Sequence, residues 1–257
     1  MQNSNIQKLE LWLTIALDIE CRILSTSGIE GGSINSAFKL ETSAGQFFLK
    51  VNSAARYPNM FKAEARGLKL LRAYSDFEIP RPILINEYGG QQYLIMDWME
   101  RGNREEAFNV DFGRSLAGLH KTTQDQFGLN HSNYIGSLPQ SNVAHSTWEA
   151  FYWTERLLPQ IKLASQLKLM TQEMTIGFDR LASQLEKIFP IEKPALIHGD
   201  LWSGNNSVSE GGKPCIFDPA VYYGHREMDL AMMQLFGGFK KGVFEAYHEM
   251  FPLEILT

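Results

Sequence analysis

Leu9, Trp12, Leu13, Ala16 and Leu17 recur at helical spacing, so the chain opens with an amphipathic helix that lies on the domain. Cys21 to Leu24 and Ile34 to Thr42 read as short strands, the second alternating Ile34, Ser36, Phe38 and Leu40, with a glycine-rich stretch from Gly28 to Ser33 between them. A turn at Ser43-Ala44-Gly45 leads into Phe47 to Val51, an apolar strand interrupted by Lys50. Phe61, Ala65, Leu68 and Leu71 mark a helix, and Glu64 falls on its apolar face. Ile83 to Glu87 and Tyr93 to Met96 form a hairpin around Gly89-Gly90.

Beyond Asp97-Trp98-Met99 the period changes from two to 3.6, which predicts helices over 107–121, over 147–157 before Pro159, and over 170–189. A strand-like interlude follows, with Ala195-Leu196-Ile197 and Pro214 to Phe217 on either side of a polar loop. Helical pattern resumes at Asp229, with Leu230, Met233, Phe236, Phe239 and Val243 on one face. The pattern is that of a bilobal α+β protein, with a five-stranded antiparallel N-terminal lobe over 1–97 and a helical C-terminal lobe over 98–257.

Composition narrows the class. The 257 residues are 44% hydrophobic and 21% charged, as in globular proteins. With 24 basic against 29 acidic side chains the net charge is −5, which argues against nucleic acid or an anionic membrane as the partner. Two cysteines, Cys21 and Cys215, without metal-ligand spacing, speak for a reducing cytoplasmic setting and against structural zinc. The most apolar N-terminal stretch, Leu11 to Leu17, is too short to span a bilayer.

The polar loop carries the strongest chemical signal. His198-Gly199-Asp200-Leu201-Trp202-Ser203-Gly204-Asn205 is an H-x-D-x-x-x-x-N arrangement after an apolar strand. Phosphoryl transfer needs a carboxylate to take the attacking hydroxyl's proton, here Asp200, and oxygen ligands for Mg²⁺, here Asn205 and Asp218 at the end of Cys215-Ile216-Phe217. Any one of these residues alone also serves as a cap or turn residue; the order and spacing favour the kinase reading. Gly31, Gly32 and Ser33 would bring backbone N–H groups to phosphate oxygens, although a Gly-Gly hairpin is also an ordinary tight turn. Lys50 in its apolar strand needs a partner, and Glu64 supplies one; the rival is an edge lysine with a solvated glutamate. Met96 to Met99 would be the hinge that meets adenine, with Trp98 or Met99 near the ring, against plain core packing.

Trp202 offers a flat face near the acceptor hydroxyl, with core packing as its rival. His225 and Arg226 either bind acceptor or phosphate, or Arg226 pairs with Glu227 or another acid. Asp229 reads as a helix N-cap that also braces the catalytic loop, His198 as a loop-orienting side chain and His120 as a satisfied core histidine.

Ile197 to Asn205 and Phe217-Asp218-Pro219-Ala220, with Tyr223-Gly224-His225-Arg226-Glu227 and Asp229 to Met232, resemble the fructosamine/ketosamine kinase family. Gly31 to Asn35, Phe47 to Lys50, Met60-Phe61 with Glu64-Ala65, Leu116 to His120, Phe127 to Leu129 and Asn133 to Gly136 extend that resemblance over almost the whole chain. It implies a protein-kinase-like fold, ATP with Mg²⁺, and transfer of the γ-phosphate to the 3-hydroxyl of a ketosamine, free or on glycated protein lysines. His-Gly-Asp alone is shared with aminoglycoside and choline kinases, which stay open as alternatives, as does a non-catalytic pseudokinase. Ser33 stands where some relatives have cysteine, so thiol control at that position does not carry over. The resemblance also implies further helices beyond Pro252; a chain without them would expose the Leu230 to Val243 face, be marginally stable or self-associate, and turn over weakly.

Overall fold

The computed structural model describes residues 3–30 and 34–254. Strands β1 (Ile23–Ile29), β2 (Ser36–Thr42), β3 (Gly45–Ser53), β4 (Pro82–Tyr88) and β5 (Gln91–Asp97) form one antiparallel sheet in the order β1-β2-β3-β5-β4. The two-residue period of β3 sorts its side chains between two cores. Phe47, Leu49 and Val51 face helix α1 (Asn3–Leu17), where they pack with Leu9 and Leu13. The other face, which carries Phe48 and Lys50, is covered by helix α2 (Met60–Tyr74) through Phe61, Leu68 and Leu71. β5 divides the same way, with Tyr93 and Ile95 toward α1 and Leu94 and Met96 toward α2, and β3 pairs Lys50 with Leu94. A lysine is thereby aimed into the interior by strand period alone.

The remainder is helical with three short antiparallel strand pairs. Helix α3 (Phe108–His120) packs along α9 (Lys241–Met250), and α8 (Glu227–Phe236) joins them through Leu230 and Met233. The pairs are the hairpins β6–β7 (Asn133–Ile135, Leu138–Gln140) and β9–β10 (Asn206–Val208, Pro214–Ile216), and the non-consecutive β8–β11 (Ala195–Ile197, Tyr222–Gly224), which brackets β9–β10.

Several boundaries depart from the hydrophobic pattern. β1 lies later than Cys21 to Leu24, because its Ser25-Thr26-Ser27 run is an exposed edge strand with no apolar alternation to reveal it. The helix that begins at Trp148 does not stop at Pro159. After α4 (Trp148–Phe151) it widens into a π turn over Tyr152–Leu157, with Leu158 N–H bonding to Trp153 O, and continues as α5 (Leu158–Gln166) with the proline in its first turn, where a missing N–H costs little. The segment 170–189 is two helices, α6 (Gln172–Ala182) and α7 (Leu185–Ile188), parted where Ser183 Oγ donates to Arg180 O. The face from Leu230 to Val243 is likewise split: Gly237 and Gly238 take φ of 69° and 89° between α8 and α9, so Leu230, Met233 and Val243 are buried while Leu235 and Phe236 face solvent. No helix among the described residues is long and apolar enough to cross a membrane.

Candidate active site

Asp200 sits between β8 and a single 3-10 turn (Ser203–Asn205). Asn205 turns its amide back onto it, donating to Asp200 O at 2.8 Å and to Asp200 Oδ2 at 3.1 Å. The neighbouring Gly199 has φ 82°, and a Cβ there would lie 2.2 Å from Ala220 O, so a side chain is excluded where the catalytic loop crosses the Asp218 loop. The two loops are also bonded directly. Ala220 N–H donates to His198 O, Phe217 N–H to Asn205 O, and His198 Nε2–H to Phe217 O at 3.0 Å. Burial pushes the His198 imidazole below its ordinary value, so it acts as a neutral strut, its Nδ1 accepting from Asp200 N–H.

Across the cleft, Lys50 Nζ donates to Glu64 Oε1 at 2.7 Å and also bonds Asp218 Oδ1. The Lys50 and Glu64 side chains are 6% and 10% exposed, whereas Asp218 is 44% exposed and reaches the open cleft. Burial disfavours the Lys50 ammonium, yet Asp218 and Glu64 more than offset this and raise its pKa. For Glu64, burial outweighs the lysine and raises its pKa. Among the described residues no cation pairs with Asp200. Burial lifts its pKa to about 6; Asn205 pulls it down and the charges of Asp218 and Asp229 add to the rise. Asp218 holds φ at 55°, a left-handed conformation that aspartate tolerates better than most residues.

Lys50, Glu64, Asp200, Asn205 and Asp218 line one cleft of about 820 Å³, together with Trp202. Asp200, Asp218 and Asn205 present hard oxygen donors, the set that suits Mg²⁺. With Asn205 Nδ2 turned onto Asp200, and Asp218 Oδ1 on Lys50, Asn205 Oδ1 and Asp218 Oδ2 take no hydrogen bond among the described residues, and the charge of Asp218 raises the pKa of Asp200. A divalent cation fits that donor set and that charge pattern. An adjoining apolar slot of about 680 Å³ runs between Phe48 and Phe217 and is edged by Met96, Trp98 and Met99. Trp98 stacks on Phe48 with ring centroids 6.2 Å apart, and Lys39 lies 4.7 Å over its ring. Gly31, Gly32 and Ser33 lie outside the described residues.

The catalytic loop is braced from behind. Asp229 Oδ2 accepts from His198 N–H at 2.7 Å and Oδ1 from Gly199 N–H at 2.9 Å. His120 Nε2–H donates to the same Asp229 at 3.2 Å, while its Nδ1 accepts from Tyr247 Oη–H at 2.9 Å. Burial works against the Asp229 charge, but His120, His198 and Gly199 N–H outweigh it and hold the carboxyl below the usual range. Helix α8 opens at Glu227, so Asp229 is a first-turn residue rather than the N-cap; its carboxylate leaves the helix to serve the loop.

The fructosamine kinase family model matches residues 6–255. The chain belongs to the fructosamine kinase family. A Synechocystis protein named as a probable ketoamine kinase is 37% identical over 95% of this chain and 84% of its own length. The chloroplastic protein-ribulosamine 3-kinase of Arabidopsis thaliana is 36% identical over 90% of this chain and 71% of its own. Among solved structures, a candidate fructosamine-3-kinase from Haemophilus somnus 129PT superposes with a TM-score of 0.90 at 25% identity, covering 98% of this chain and 85% of that one. A spectinomycin phosphotransferase in complex with ADP and spectinomycin shares the fold, with a TM-score of 0.55 at 16% identity over 98% of this chain and 80% of that one. Fructosamine kinases and aminoglycoside phosphotransferases thus share the protein-kinase-like α+β architecture expected from the sequence.

Within this family frame two expected substrate residues need correction. His225 and Arg226 do not reach the cleft. His225 is fully buried and bonds Pro190 O, and Arg226 is 2% exposed. Arg226 pairs with Glu192 at 2.6 Å, not with Glu227, and its remaining donors go to Phe251 O, Pro252 O and Tyr247 Oη. With every donor engaged internally, Arg226 fastens α8 to the residues after α9. Trp202 does line the cleft, 39% exposed, its indole lying over Gly204, where a Cβ would come within 2.2 Å of the ring. Asn133, Tyr134, Asn35 and Met60 also line the cleft without having been assigned a role from sequence. Asn133 Nδ2 donates to Val221 O, which docks the β6–β7 hairpin beside the Asp218 loop. The one sequence signal for these residues was that they lie within the segments resembling the family.

Proposed function

We propose that this protein uses ATP with Mg²⁺ to phosphorylate the 3-hydroxyl of a ketosamine, free or carried on a glycated protein amine, in the cytoplasm. The observation that carries this reading is the convergence of Lys50, Asp200, Asn205 and Asp218 on one cleft in a fructosamine kinase. In this reading 1–97 is the nucleotide lobe and 98–257 the catalytic lobe. Lys50, held by Glu64, meets the phosphates, and adenine enters the slot edged by Met96, Trp98 and Met99. Asn205 and Asp218 hold the metal, which neutralises phosphate charge when bound.

Asp200 positions the acceptor hydroxyl and takes its proton as the new O–P bond forms and the bond from the γ-phosphorus to the β-phosphate oxygen breaks, releasing ADP. The upward-shifted carboxyl of Asp200 is suited to accepting that proton near neutral pH. Trp202 offers its ring face to the sugar. Incubation with MgATP and fructosamine, ribulosamine, choline or an aminoglycoside, with mass-spectrometric product identification, tests the assignment. The expected product is a ketosamine phosphate; turnover confined to choline or the antibiotic refutes it.

A further inference from the structure

The net charge of −5 hides a strongly basic surface beside the cleft. Between residues 42 and 75 the chain carries Lys50, Arg56, Lys62, Arg66, Lys69 and Arg72 against one acid, Glu64, which is turned inward to Lys50. Lys62, Arg66 and Lys69 recur at i, i+4 and i+7 on the side of α2 opposite Glu64, and all three are exposed. Among the described residues none of the three has an ion-pair partner. Of the segment facing them, residues 126–148 contain neither Asp nor Glu; its one acid, Asp125, follows Gln124 at the far end of the second hollow.

These two segments enclose a trench that begins at the cleft. Asn133 and Tyr134 line both the cleft and the first hollow of the trench, whose other wall carries Lys62 and Arg66. Tyr134 Oη–H donates to Pro58 O and ties the walls together. A second hollow continues past Arg66 and His131 toward Gln124 and Leu129. His131 lies on both hollows; its Nδ1 meets Asn130 Oδ1 at 2.7 Å and its buried Nε2 has no partner. The trench therefore offers uncompensated cations along a path of two hollows of about 880 and 940 Å³.

We propose that this trench receives the polypeptide bearing the ketosamine, and that acidic side chains flanking the glycated amine lie against Lys62 and Arg66. This substrate selection rests on the kinase reading above. Opposite charge at such a rim raises the association rate and sorts partners, and is screened by salt.

The test uses two peptides identical except that Glu residues flank the glycated lysine in one and Gln in the other, together with a small uncharged ketosamine. The acidic peptide is expected to show a kcat/KM about tenfold higher at low salt, a preference that shrinks toward about 0.5 M salt. The double variant K62Q/R66Q should lose the preference and phosphorylate the small ketosamine at the wild-type rate. Equal kcat/KM for both peptides, or a preference that survives in the double variant, overturns the proposal. Failure to phosphorylate even the small ketosamine would instead refute the kinase reading. Calorimetric titration of the unglycated Glu peptide then decides the trench alone: about tenfold weaker binding to K62Q/R66Q supports it, and equal affinity overturns it. Displacement of that peptide by an RNA oligonucleotide at matched charge would point to polyanions in general and overturn the peptide assignment.

Discussion

The two sides of the cleft are built by different physics. Behind Asp200 stands a buried polar network in which His198, Gly199, His120 and Tyr247 converge on Asp229. The adjoining slot, proposed for adenine, is walled by Phe48, Met96 and Phe217, with Trp98 stacked at its edge. A polar network fixes direction, because each hydrogen bond has an angle and an orphaned partner is costly. An apolar wall fixes volume and tolerates small changes of shape. On the proposed roles, geometry for proton transfer is thus held by hydrogen bonds, and affinity for a flat base by packing.

The sharpest break comes at Asp200. Asp200→Asn should lower kcat by about 10²–10⁴-fold while leaving calorimetric MgATP binding nearly intact, whereas Asp218→Asn should lose binding and turnover together. Equal loss of nucleotide affinity in both would show that the roles are not divided. Because the folded-state pKa of Asp200 is raised to about 6, its ionised form works against folding at neutral pH, and that penalty fades as pH falls from about 6 to about 4. Asp200→Asn should therefore melt no lower than the parent at pH 7. In the wild type, kcat/KM should fall as pH drops through about 6.

Removing the brace gives the next effect. Asp229→Ala leaves the His198 and Gly199 N–H groups unpaired in the interior and should cost about 3–5 kcal/mol in urea unfolding, with kcat falling in whatever remains folded. Its pH sign is opposite to that of Asp200. The folded carboxyl is held below its unfolded value near 3.9, so its contribution is present above that value and lost as pH falls through the folded pKa. A loss under about 1 kcal/mol would mean that the network is not a brace.

Lys50 and Glu64 join the two sides, and a double-mutant cycle on Lys50→Met and Glu64→Leu should show a coupling of about 0.5–3 kcal/mol. The double variant should recover stability but not ATP use; additive single effects would separate the pair. Smallest is the apolar edge: Trp98→Leu, which loses the stack on Phe48, should raise the KM for ATP about two- to tenfold with kcat unchanged. A kcat effect as large as that of Asp229→Ala would dissolve the contrast between the two sides.

The same contrast governs what a reader of the sequence could see. Lys50 and Glu64 were legible because each is a lone charge on an apolar element whose period is plain. Asp200, Asn205 and Asp218 were legible because their chemistry demands a fixed order along short loops. For Arg226 the sequence left acceptor binding and an acid partner both open, because its partners Glu192, Phe251 and Pro252 stand 34, 25 and 26 residues away and no local pattern announces them. Nor did any period reveal that Asn133 and Tyr134 would line the cleft, since a three-residue strand is too short to carry one. The bounds of β1 were read too early because an exposed edge strand has no apolar face to alternate.

The bracing of the catalytic loop has a consequence for biosynthesis. Asp229 lies 31 residues after His198, and His120, which steadies Asp229, is itself bonded to Tyr247, 127 residues further along the chain. A nascent chain has therefore exposed the whole His198 to Asn205 motif long before Tyr247 leaves the ribosome. Until then Asp229 can hold the loop, but His120, which steadies Asp229, still lacks the partner that α9 supplies.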